Sequence, residues 1–546
     1  MQTEKQNDLD YLLSRGFTLD EIERQRDRNN ITVAQLAELE RSKEAQGKTL
    51  VEPPPGWNAL QPPDYSDAGN AVVFSNRHKD NLIFVDALGW LWWTGKKWER
   101  DDHKALAWAL ELSEEMLEEA KTENRKANDA VAEAKSKYEE TGDVGDGEEL
   151  TKAKEKATFA KAYLNHAKKL REATKLRNMI ELSKPALVLK ADKLDADPFD
   201  LNTPAGIVNL TTGIIRPHDK GAYCSQMTAA IPDGNGVEIW DMFLNQITGG
   251  EGSLQGFLQM VAGMALIGSV LFEAMVIAWG SGRNGKSTFF NTLLRVLGDY
   301  GGTIDIKVLT TDRQNKGASL ASLRGKRLVI AGELEEHQRL SVATLKQVAS
   351  TDMLTIEEKY KQPETVKQSH TLILFTNHLP RVGSTDRGTW RRLIVVPFNT
   401  AIPESKSIQN MADLLVEKAG GAVLSWAVEG AGMFVRNGFK LEIPDIVQEA
   451  TDAYRQREDW LTNFIDERCI RDPNGRVRSS ELYQAYREWA AARGEYIRRL
   501  NDFAAAMETA GFKKVTVVGK PIWIGCFLED LQEYQHPQQL RLKRVK

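Results

Sequence analysis

The sequence predicts an α/β fold that is organised around one phosphate-binding loop. The pattern G-x-x-x-x-G-K-[ST] is matched at every defined position by Gly280, Ser281, Gly282, Arg283, Asn284, Gly285, Lys286 and Ser287. Residues 274–279 form an apolar run long enough for a buried strand, and residues 288–297 carry apolar side chains at helical spacing. Strand, glycine loop and helix therefore follow one another in the order that such a loop requires.

The chemistry of this loop indicates a site for ATP and Mg²⁺. Its glycines let backbone N–H groups close around phosphates, and the helix that follows adds a partial positive charge. Lys286 is expected to reach the β and γ phosphates, and the Ser287 hydroxyl is expected to hold Mg²⁺. Thr288 completes the predicted nucleotide-binding set. A glycine-rich turn that binds no nucleotide is the alternative.

Composition and charge are those of an ordinary globular protein. The 546 residues predict about three or four domains, and 41% of them are hydrophobic and 27% charged. The net charge of −5 neither supports nor excludes a nucleic-acid partner, because a local basic surface would decide that. Cys224, Cys469 and Cys526 form no C-x-x-C pair, which excludes a zinc ribbon of the usual spacing and predicts a reducing cytoplasm.

The longest apolar stretch, residues 257–279, raises the alternative of a membrane span. Gln259 and Glu273 interrupt it, together with small residues that favour turns. A core helix followed by the phosphate-loop strand is the better interpretation. No signal-peptide pattern opens the sequence.

The chain before the phosphate loop divides by composition. Residues 1–50 predict a small helical appendage, with a docking module or a helix-turn-helix as alternatives, and residues 51–66 predict a proline-rich linker. The four tryptophans within residues 90–98 are predicted to be core residues of small hairpins, with base stacking as the alternative. Residues 104–184 predict two long helices in an antiparallel hairpin.

Two further strand ends carry candidate catalytic side chains. The apolar run at 326–331 is followed by Glu333 and Glu335. A carboxylate at the carboxyl end of a strand beside the ATP loop can hold Mg²⁺ and the attacking water, so Glu333 is the first candidate and Glu335 the second. An acidic start of a surface helix is the alternative. The apolar run at 371–376 ends in Asn377, which on residue type alone is a turn residue.

The C-terminal part is predicted to be helical before it becomes β-rich. Residues 401–455 predict a helical lid or connector. Residues 456–530 predict three helical stretches followed by a hairpin, which is the arrangement of a winged helix, and residues 531–546 form a basic tail. The candidate phosphate contacts in this region are Arg498, Arg499, Lys513, Lys514 and Lys520.

Taken together, these motifs resemble the superfamily 3 helicases of the phage, plasmid and poxvirus primase-helicase family, whose ATPase core is of the AAA+ type. The order of phosphate loop, acidic strand end, hairpin, asparagine and arginine pair carries the resemblance over residues 239–400. The β-rich pieces within residues 67–238 are similar to the N-terminal module of that family. Asn209 stands where that module usually has Asp, so a role that needs a carboxylate there is in doubt.

The resemblance implies roles for several residues. Asn377 is similar to the sensor 1 residue, which senses the γ-phosphate and orients water. The segment 345–363 resembles the B-prime motif and pre-sensor hairpin, which implies that Lys359, Tyr360 and Lys361 grip one DNA strand; an ordinary exposed hairpin is the alternative. Arg392, with Arg391 as second choice, matches the arginine finger that is donated to the ATP of a neighbouring subunit.

The resemblance also implies a function. It indicates an ATP-dependent DNA helicase of a phage or other mobile element, which assembles as a homo-oligomeric, hexameric ring in the cytoplasm of a bacterial host and travels 3′ to 5′. A primase-helicase that makes primers is one alternative, although the region before residue 65 is too short for a primase domain and no zinc motif is present. An ATP-regulated origin-binding or loading protein that never unwinds DNA is the other. A separate primase or another replication factor is a candidate partner.

Overall fold

The computed structural model describes residues 60–310, 322–332, 338–356, 364–382, 386–494 and 496–529. The chain divides into two compact units, Met1–Ala196 with Lys220–Ser225 and Asp197–Asp219 with Gln226–Lys546. The predicted appendage at 1–50, most of the linker and the basic tail lie outside the described residues. So do five candidate site residues, Glu333, Glu335, Lys359, Tyr360 and Lys361.

The described part of the first unit begins with a helix and a small antiparallel sheet. Its first elements are α1 (Asp67–His78), β1 (Leu82–Val85), β2 (Gly89–Trp93) and β3 (Trp98–Arg100). Ser66 caps α1, because its hydroxyl accepts a hydrogen bond from the Gly69 N–H. Trp90 and Trp98 are buried at 6% and 3% exposure, which confirms that these two tryptophans belong to the core. Trp92 and Trp93 are half-buried.

Three α-helices follow in the described part of this unit, namely α2 (Lys104–Thr141), α3 (Val144–Leu170) and α4 (Ala173–Leu187). The turn between α2 and α3 lies where the sequence predicts it, and Gly142 ends α2 in a left-handed conformation with φ 62°. The prediction of a single second arm is wrong, because Glu172 has an extended backbone that separates α3 from α4. The break lets Leu170 and Leu176 both reach the core, at 1% and 3% exposure, whereas an unbroken helix would point them about 120° apart.

The second unit starts with a small antiparallel sheet and two helices. These are β4 (Asp200–Thr203), β5 (Gly206–Asn209), β6 (Ile215–Arg216), α5 (Val237–Thr248) and α6 (Gly252–Met264). Leu201 and Val208 of the sheet are fully buried in the same core cluster as Trp240 of α5. The structure therefore divides the residues 67–238 that the sequence predicts as one module, because these strands pack into the second unit.

A parallel sheet forms the centre of the second unit. Its strands are β7 (Met275–Trp279), β8 (Gly301–Ile304), β9 (Leu328–Ala331), β12 (Thr371–Thr376) and β13 (Leu393–Pro397). They are arranged in the order β13-β7-β12-β9-β8, and every neighbouring pair is parallel. Val276 and Ile277 are adjacent in β7 and both fully buried, so both faces of the sheet are covered. Burial on both faces explains why the sequences of these strands are continuous apolar runs and do not alternate with polar residues.

Shorter elements connect and follow these strands. They are α7 (Lys286–Val296), α8 (Val342–Val348), the antiparallel pair β10 (Leu354–Ile356) and β11 (Glu364–Val366), α9 (Arg387–Trp390), α10 (Met411–Arg436) and α11 (Asp445–Glu458). The apolar stretch 257–279 becomes the end of α6 and then β7, which confirms the core interpretation. None of the helices that the structure describes combines the length and hydropathy of a transmembrane span.

The predicted lid region contains a core helix. Ala427 and Ala431 of α10 are fully buried, and α10 packs closely against α6. A methyl group on Gly263 of α6 would lie 2.0 Å from the Ala431 nitrogen, and one on Gly430 would lie 2.0 Å from the Gln259 carbonyl oxygen. Both glycines are therefore required by the close approach of the two backbones.

The C-terminal module consists of α12 (Trp460–Arg468), β14 (Cys469–Arg478), α13 (Ser479–Ala492), α14 (Leu500–Thr509), β15 (Lys513–Val517) and β16 (Lys520–Leu528). Its three helices and its final hairpin match the sequence prediction. The third strand, β14, was not predicted. Its Asp-Pro-Asn-Gly segment has the composition of a turn, and its pairing with β16 is interrupted between Arg471 and Arg476.

The contact between α6 and α10 gives a first testable prediction. We expect Gly263→Ala to lower the free energy of unfolding by at least about 2 kcal/mol, because two helix backbones must move apart to admit the methyl group. Gly256→Ala is the matched control in the same helix, since nothing lies within 4 Å of its added methyl group. The control should keep or raise stability by up to about 1 kcal/mol through helix propensity. Denaturant unfolding measures both, and equal stabilities would contradict the packing described here.

Candidate functional site

The phosphate-loop motif forms the turn between β7 and α7. Gly282 and Gly285 have φ values of 102° and 78°, in the region that glycine adopts most readily. A Cβ atom at Gly285 would also lie 2.3 Å from Cγ2 of Ile247, so the position excludes any side chain. Arg283 has a positive φ of 49° as well, which is uncommon for a residue with a Cβ. The glycines thus allow the chain to double back from the end of β7 to the first residue of α7.

A cleft of about 380 Å³ lies against this loop and the first turn of α7. Its lining contains every motif residue from Gly282 to Ser287, together with Thr288 and Asn377. The rest of the lining comes from Phe243, Gln246, Ile402, Glu404, Ser407, Ile408 and Met411. Gly280 and Ser281, which the sequence also assigns to nucleotide binding, lie outside the lining. The cleft therefore has a polar part at the phosphate loop and an apolar part that includes Phe243, Ile402 and Met411. A ligand with an anionic end and a planar end would match these two parts.

Lys286 is buried beneath the cleft, at 4% exposure. Its ammonium group donates to the Gly280 carbonyl at 3.0 Å, to Asn284 Oδ1 at 3.2 Å and to Asn377 Oδ1 at 2.6 Å. All three acceptors are uncharged. An anion that enters the cleft would meet this fixed ammonium group, and charge-assisted hydrogen bonds are the stronger kind.

Two asparagines fix the position of this lysine. Asn284, at 2% exposure, donates from Nδ2 to the Phe398 carbonyl at 2.9 Å, which ties the loop to the end of β13. Asn377 follows β12, and its backbone carbonyl accepts a hydrogen bond from Trp279 Nε1 at 3.2 Å. Because β12 lies beside β7 in the parallel sheet, their carboxyl ends bring Asn377 to the loop. A sensor role for Asn377 stays a prediction.

Ser287 and Thr288 lie in the first turn of α7 and line the cleft. A serine hydroxyl is a hard oxygen ligand of the kind that Mg²⁺ accepts. Within the described ranges there is no cluster of three or more His, Cys, Asp or Glu side chains that could hold a metal ion. β9 ends at Ala331, two residues before Glu333, which is outside those ranges.

Arg391 and Arg392 lie at the other edge of the sheet from the cleft. They precede β13, a parallel strand of five residues that spans roughly 17 Å. Arg392 has an 11% exposed side chain that binds the Glu273 carboxylate and the carbonyls of Ala349 and Gly388. The Arg391 side chain is 63% exposed and makes an ion pair with Glu273 at 3.1 Å. Both arginines thus bind Glu273, but Arg391 is the more exposed of the two. A finger role for either arginine stays a prediction.

The segment that carries these arginines is anchored at its start. Asp386 caps α9 by accepting the N–H groups of Gly388 and Thr389. The Lys346 ammonium donates to this carboxylate at 2.6 Å and, with the Thr389 hydroxyl, holds the pKa of Asp386 well below its usual range. Asp386 is therefore charged at neutral pH and links α8 to the arginine segment.

Two remaining predicted sites have mixed outcomes. β10 and β11 form the base of the predicted hairpin, while its tip, residues 357–363, is outside the described residues. In the C-terminal module, Arg498 is wrong as a phosphate contact, because it is 7% exposed and its guanidinium stacks 4.1 Å from the ring of Trp460. The other four cations predicted there are exposed, namely Arg499, Lys513, Lys514 and Lys520.

Known protein families match two parts of this chain. The family described as D5 N terminal like matches residues 71–249, and a family of unknown function (DUF5906) matches residues 278–392. The second match covers the phosphate loop, Asn377 and both arginines. A solved structure, the apo A form of the NrS-1 C-terminal region, is 15% identical with a TM-score of 0.35 and covers 55% of this chain and 78% of that chain.

Curated relatives come from large DNA viruses. A protein of Acanthamoeba polyphaga mimivirus named as a helicase is 26% identical over 321 residues, which cover 54% of this chain and 33% of the relative. A protein of Frog virus 3, also named as a helicase, is 25% identical over 50% of this chain and 30% of its own length. A protein of African swine fever virus named as a primase is 25% identical over 40% of this chain and 25% of its own. The chain thus spans a third or less of the curated relatives it matches.

The contact between Lys286 and Asn377 gives a second prediction. Asn377→Asp keeps the side-chain size but places a carboxylate beside an incoming phosphate. Two unit negative charges 4 Å apart repel each other by roughly 4 kcal/mol at an effective dielectric constant of about 20, and by less where water screens them. We expect the Kd of Mg-ATP to rise at least about tenfold in this variant, as measured by titration calorimetry. Asn377→Ala adds no charge and should bind nearly as well as the wild type.

His378→Ala is the control for this experiment, because His378 is the exposed next residue of the same loop. It should leave the Kd unchanged. Equal affinities of Asn377→Asp and His378→Ala would contradict a phosphate site at Lys286.

Proposed function

Because the chain belongs to the primase-helicase family of the superfamily 3 type, we propose that it is an ATP-dependent DNA helicase that acts as a homo-oligomeric ring. The observation that carries the proposal is the hydrogen bond between Lys286 Nζ and Asn377 Oδ1 at 2.6 Å. It joins a phosphate-binding cation to a polar side chain from the adjacent strand, in a cleft lined by a glycine loop and a helix N-terminus.

The cleft supports ATP as the substrate. The phosphates would compete with Gly280, Asn284 and Asn377 for the Lys286 ammonium. The N–H groups at the start of α7 would bind the same phosphate oxygens. Asn377, no longer bound to the lysine, would be free to orient a water molecule near the γ-phosphate. Mg²⁺, with Ser287 and Glu333 as proposed ligands, would neutralise phosphate charge when bound.

The order of strands supports an AAA+ type of core. β12 stands between β7, which leads into the phosphate loop, and β9, which precedes Glu333. Since all three strands are parallel, their carboxyl ends meet at one edge. The proposed sensor, Asn377, then lies between the phosphate loop and the strand that leads to the proposed catalytic acid.

The position of the arginines supports an active site shared between subunits. Arg391 lies at the amino edge of the sheet, roughly the length of β13 away from the loop at the carboxyl edge. An arginine side chain cannot span that distance, so Arg391 cannot complete the site of its own chain. We therefore assign it to the site of a neighbouring copy, in a closed ring for which six subunits are the proposed number. Arg392 becomes a positioning residue through Glu273.

DNA is the proposed partner of the ring channel. The antiparallel base formed by β10 and β11 supports a hairpin in this region, and Lys359, Tyr360 and Lys361 keep their proposed role on one DNA strand. Primer synthesis is the second candidate function, favoured by the relative named as a primase. Strand displacement from a forked duplex and primer formation on a single strand distinguish the two. ATP hydrolysis without strand displacement would indicate a loading protein instead.

The trans assignment gives a third prediction. Arg391→Ala should lower DNA-stimulated ATP hydrolysis by roughly 10³-fold or more while Mg-ATP still binds, because a finger acts on the transition state. Mixing Arg391→Ala with Lys286→Ala should restore part of the activity. In the mixed ring, one subunit supplies an intact phosphate loop and its neighbour supplies the arginine.

Arg392→Ala is the companion variant and should behave differently. It removes a guanidinium that binds a carboxylate and two carbonyls within the chain, so the free energy of unfolding should fall by about 2 kcal/mol. Arg391→Ala should leave stability unchanged. If the mixture of Arg391→Ala and Lys286→Ala recovers no ATP hydrolysis although both variants assemble, the proposal of a shared site is wrong. If the wild type hydrolyses ATP as a monomer, the proposal of a ring is wrong.

A further inference from the structure

The C-terminal module has a sheet with two different faces. Trp523 and Cys526 of β16 are fully buried and Val477 of β14 is 6% exposed, within one cluster that includes Phe464 of α12 and Phe503 of α14. One face of the sheet therefore packs on the helices. The opposite face carries the residues that alternate with these.

Strand register defines that opposite face. Cross-strand neighbours in an antiparallel sheet lie on the same side. One row contains Arg476, Ile524 and Lys513, and the next contains Arg478, Ile522 and Val515. A third pair, Ile470 and Phe527, lies beyond the interruption in pairing, and its exposure of 42% and 37% next to the buried Cys469 and Cys526 places it on the same outer side. We call these eight residues the outer sheet face.

The outer sheet face combines cations with apolar side chains. Arg476, Arg478 and Lys513 are exposed, and Ile522 and Ile524 lie half-buried between them on the central strand. Arg476 and Lys513 flank β16 in the same row, so their backbones lie about 10 Å apart, which is twice the spacing between strands. Arg478 pairs with Glu481 at 3.3 Å, but both side chains are more than half exposed, and such pairs contribute little.

The helices of the same module have the opposite charge. In a winged helix, the second helix of the helix-turn-helix enters the major groove, and here that position belongs to α14. α14 contains no Lys or Arg, and it exposes Asp502 and Glu508. α13 exposes Glu481 and Glu488 beside Arg487. A phosphate backbone would be repelled by α14 and attracted by the sheet.

We propose that the outer sheet face binds single-stranded nucleic acid, with Arg476 and Lys513 on phosphates and Phe527 as a stacking platform for a base. Exposed apolar side chains between cations suit unpaired bases, whose faces are free to stack, better than a duplex, whose bases are already stacked. The choice of nucleic acid as the ligand rests on the proposed helicase function. The site lies on the C-terminal sheet, apart from the β10–β11 hairpin and from the nucleotide cleft.

Salt dependence of binding is the first test. The full chain without nucleotide is titrated into fluorescently labelled oligo-dT at several salt concentrations, and anisotropy gives Kd. Arg476→Ala and Lys513→Ala should each weaken binding and reduce the slope of log K against log salt by about 0.7, the value for one phosphate contact on a single strand. Arg487→Ala, an equal loss of charge on α13, should leave Kd and slope unchanged. An equal effect of all three variants would overturn the proposal.

Photo-crosslinking is the second test and separates sheet from helix. The crosslinking residue p-benzoylphenylalanine is placed at Phe527 on the sheet or at Leu500, which is 46% exposed at the start of α14. Irradiation with labelled oligo-dT should label the chain from Phe527 and not from Leu500. Labelling from Leu500 alone, or from neither, would overturn the proposal. ATP hydrolysis is measured on the same proteins, so crosslinking from Phe527 without hydrolysis would refute the helicase and keep the sheet site.

Discussion

The parallel direction of β7, β9, β12 and β13 is the constraint on which the candidate site depends. Because these strands run the same way, the residues directly after them lie at one edge of the sheet and the residues directly before them lie at the other. The phosphate loop and Asn377 follow their strands and come within hydrogen-bond distance of each other. Arg391 and Arg392 precede β13 and lie far from that point. The sheet alone thus separates the phosphate loop and Asn377 from the two arginines, as the proposed shared site requires.

This sheet needs firm support on both faces, and a buried cation helps to provide it. Arg327, at 2% exposure, precedes β9 and donates to the carbonyls of Leu266 and Asp200 at 2.6 Å each, with its guanidinium 4.4 Å from the ring of Tyr300. It links the central sheet to the end of α6 and to β4. A buried arginine that satisfies backbone carbonyls is costly to remove, because the carbonyls would then be left without a donor. In the same unit, Gly263 of α6 and Gly430 of α10 allow the two helix backbones to touch, so close helix packing adds to the hydrogen bonds of Arg327.

Sequence patterns predicted most of what depends on local chemistry. The phosphate loop, the buried strands and the hairpin at Gly519 follow from glycine positions and apolar runs, which are properties of short segments. The break at Glu172 was missed because the local composition favours helix throughout, and only the shared core of Leu170 and Leu176 requires it. β14 was missed because its pairing with β16 is what makes it a strand. The different exposure of Arg391 and Arg392 depends on contacts with Glu273 and other distant residues, which the sequence does not reveal.

The loop after Asn377 is also connected to the C-terminal module. The Tyr454 hydroxyl donates to the Pro380 carbonyl, and the Glu458 carboxylate accepts the Val382 N–H at 2.9 Å. Both side chains belong to α11, and α12 begins two residues after α11 ends. Hydrogen bonds therefore link the loop after Asn377 to α11, and the chain leads from α11 through α12 into β14, the strand that carries Arg476. Such a connection couples two sites only if its residues can adopt two alternative arrangements and a ligand binds one arrangement more tightly than the other. Under the proposed function, Lys286 and Asn377 supply one such pair of arrangements, because their hydrogen bond and a bound phosphate would compete for the same ammonium group.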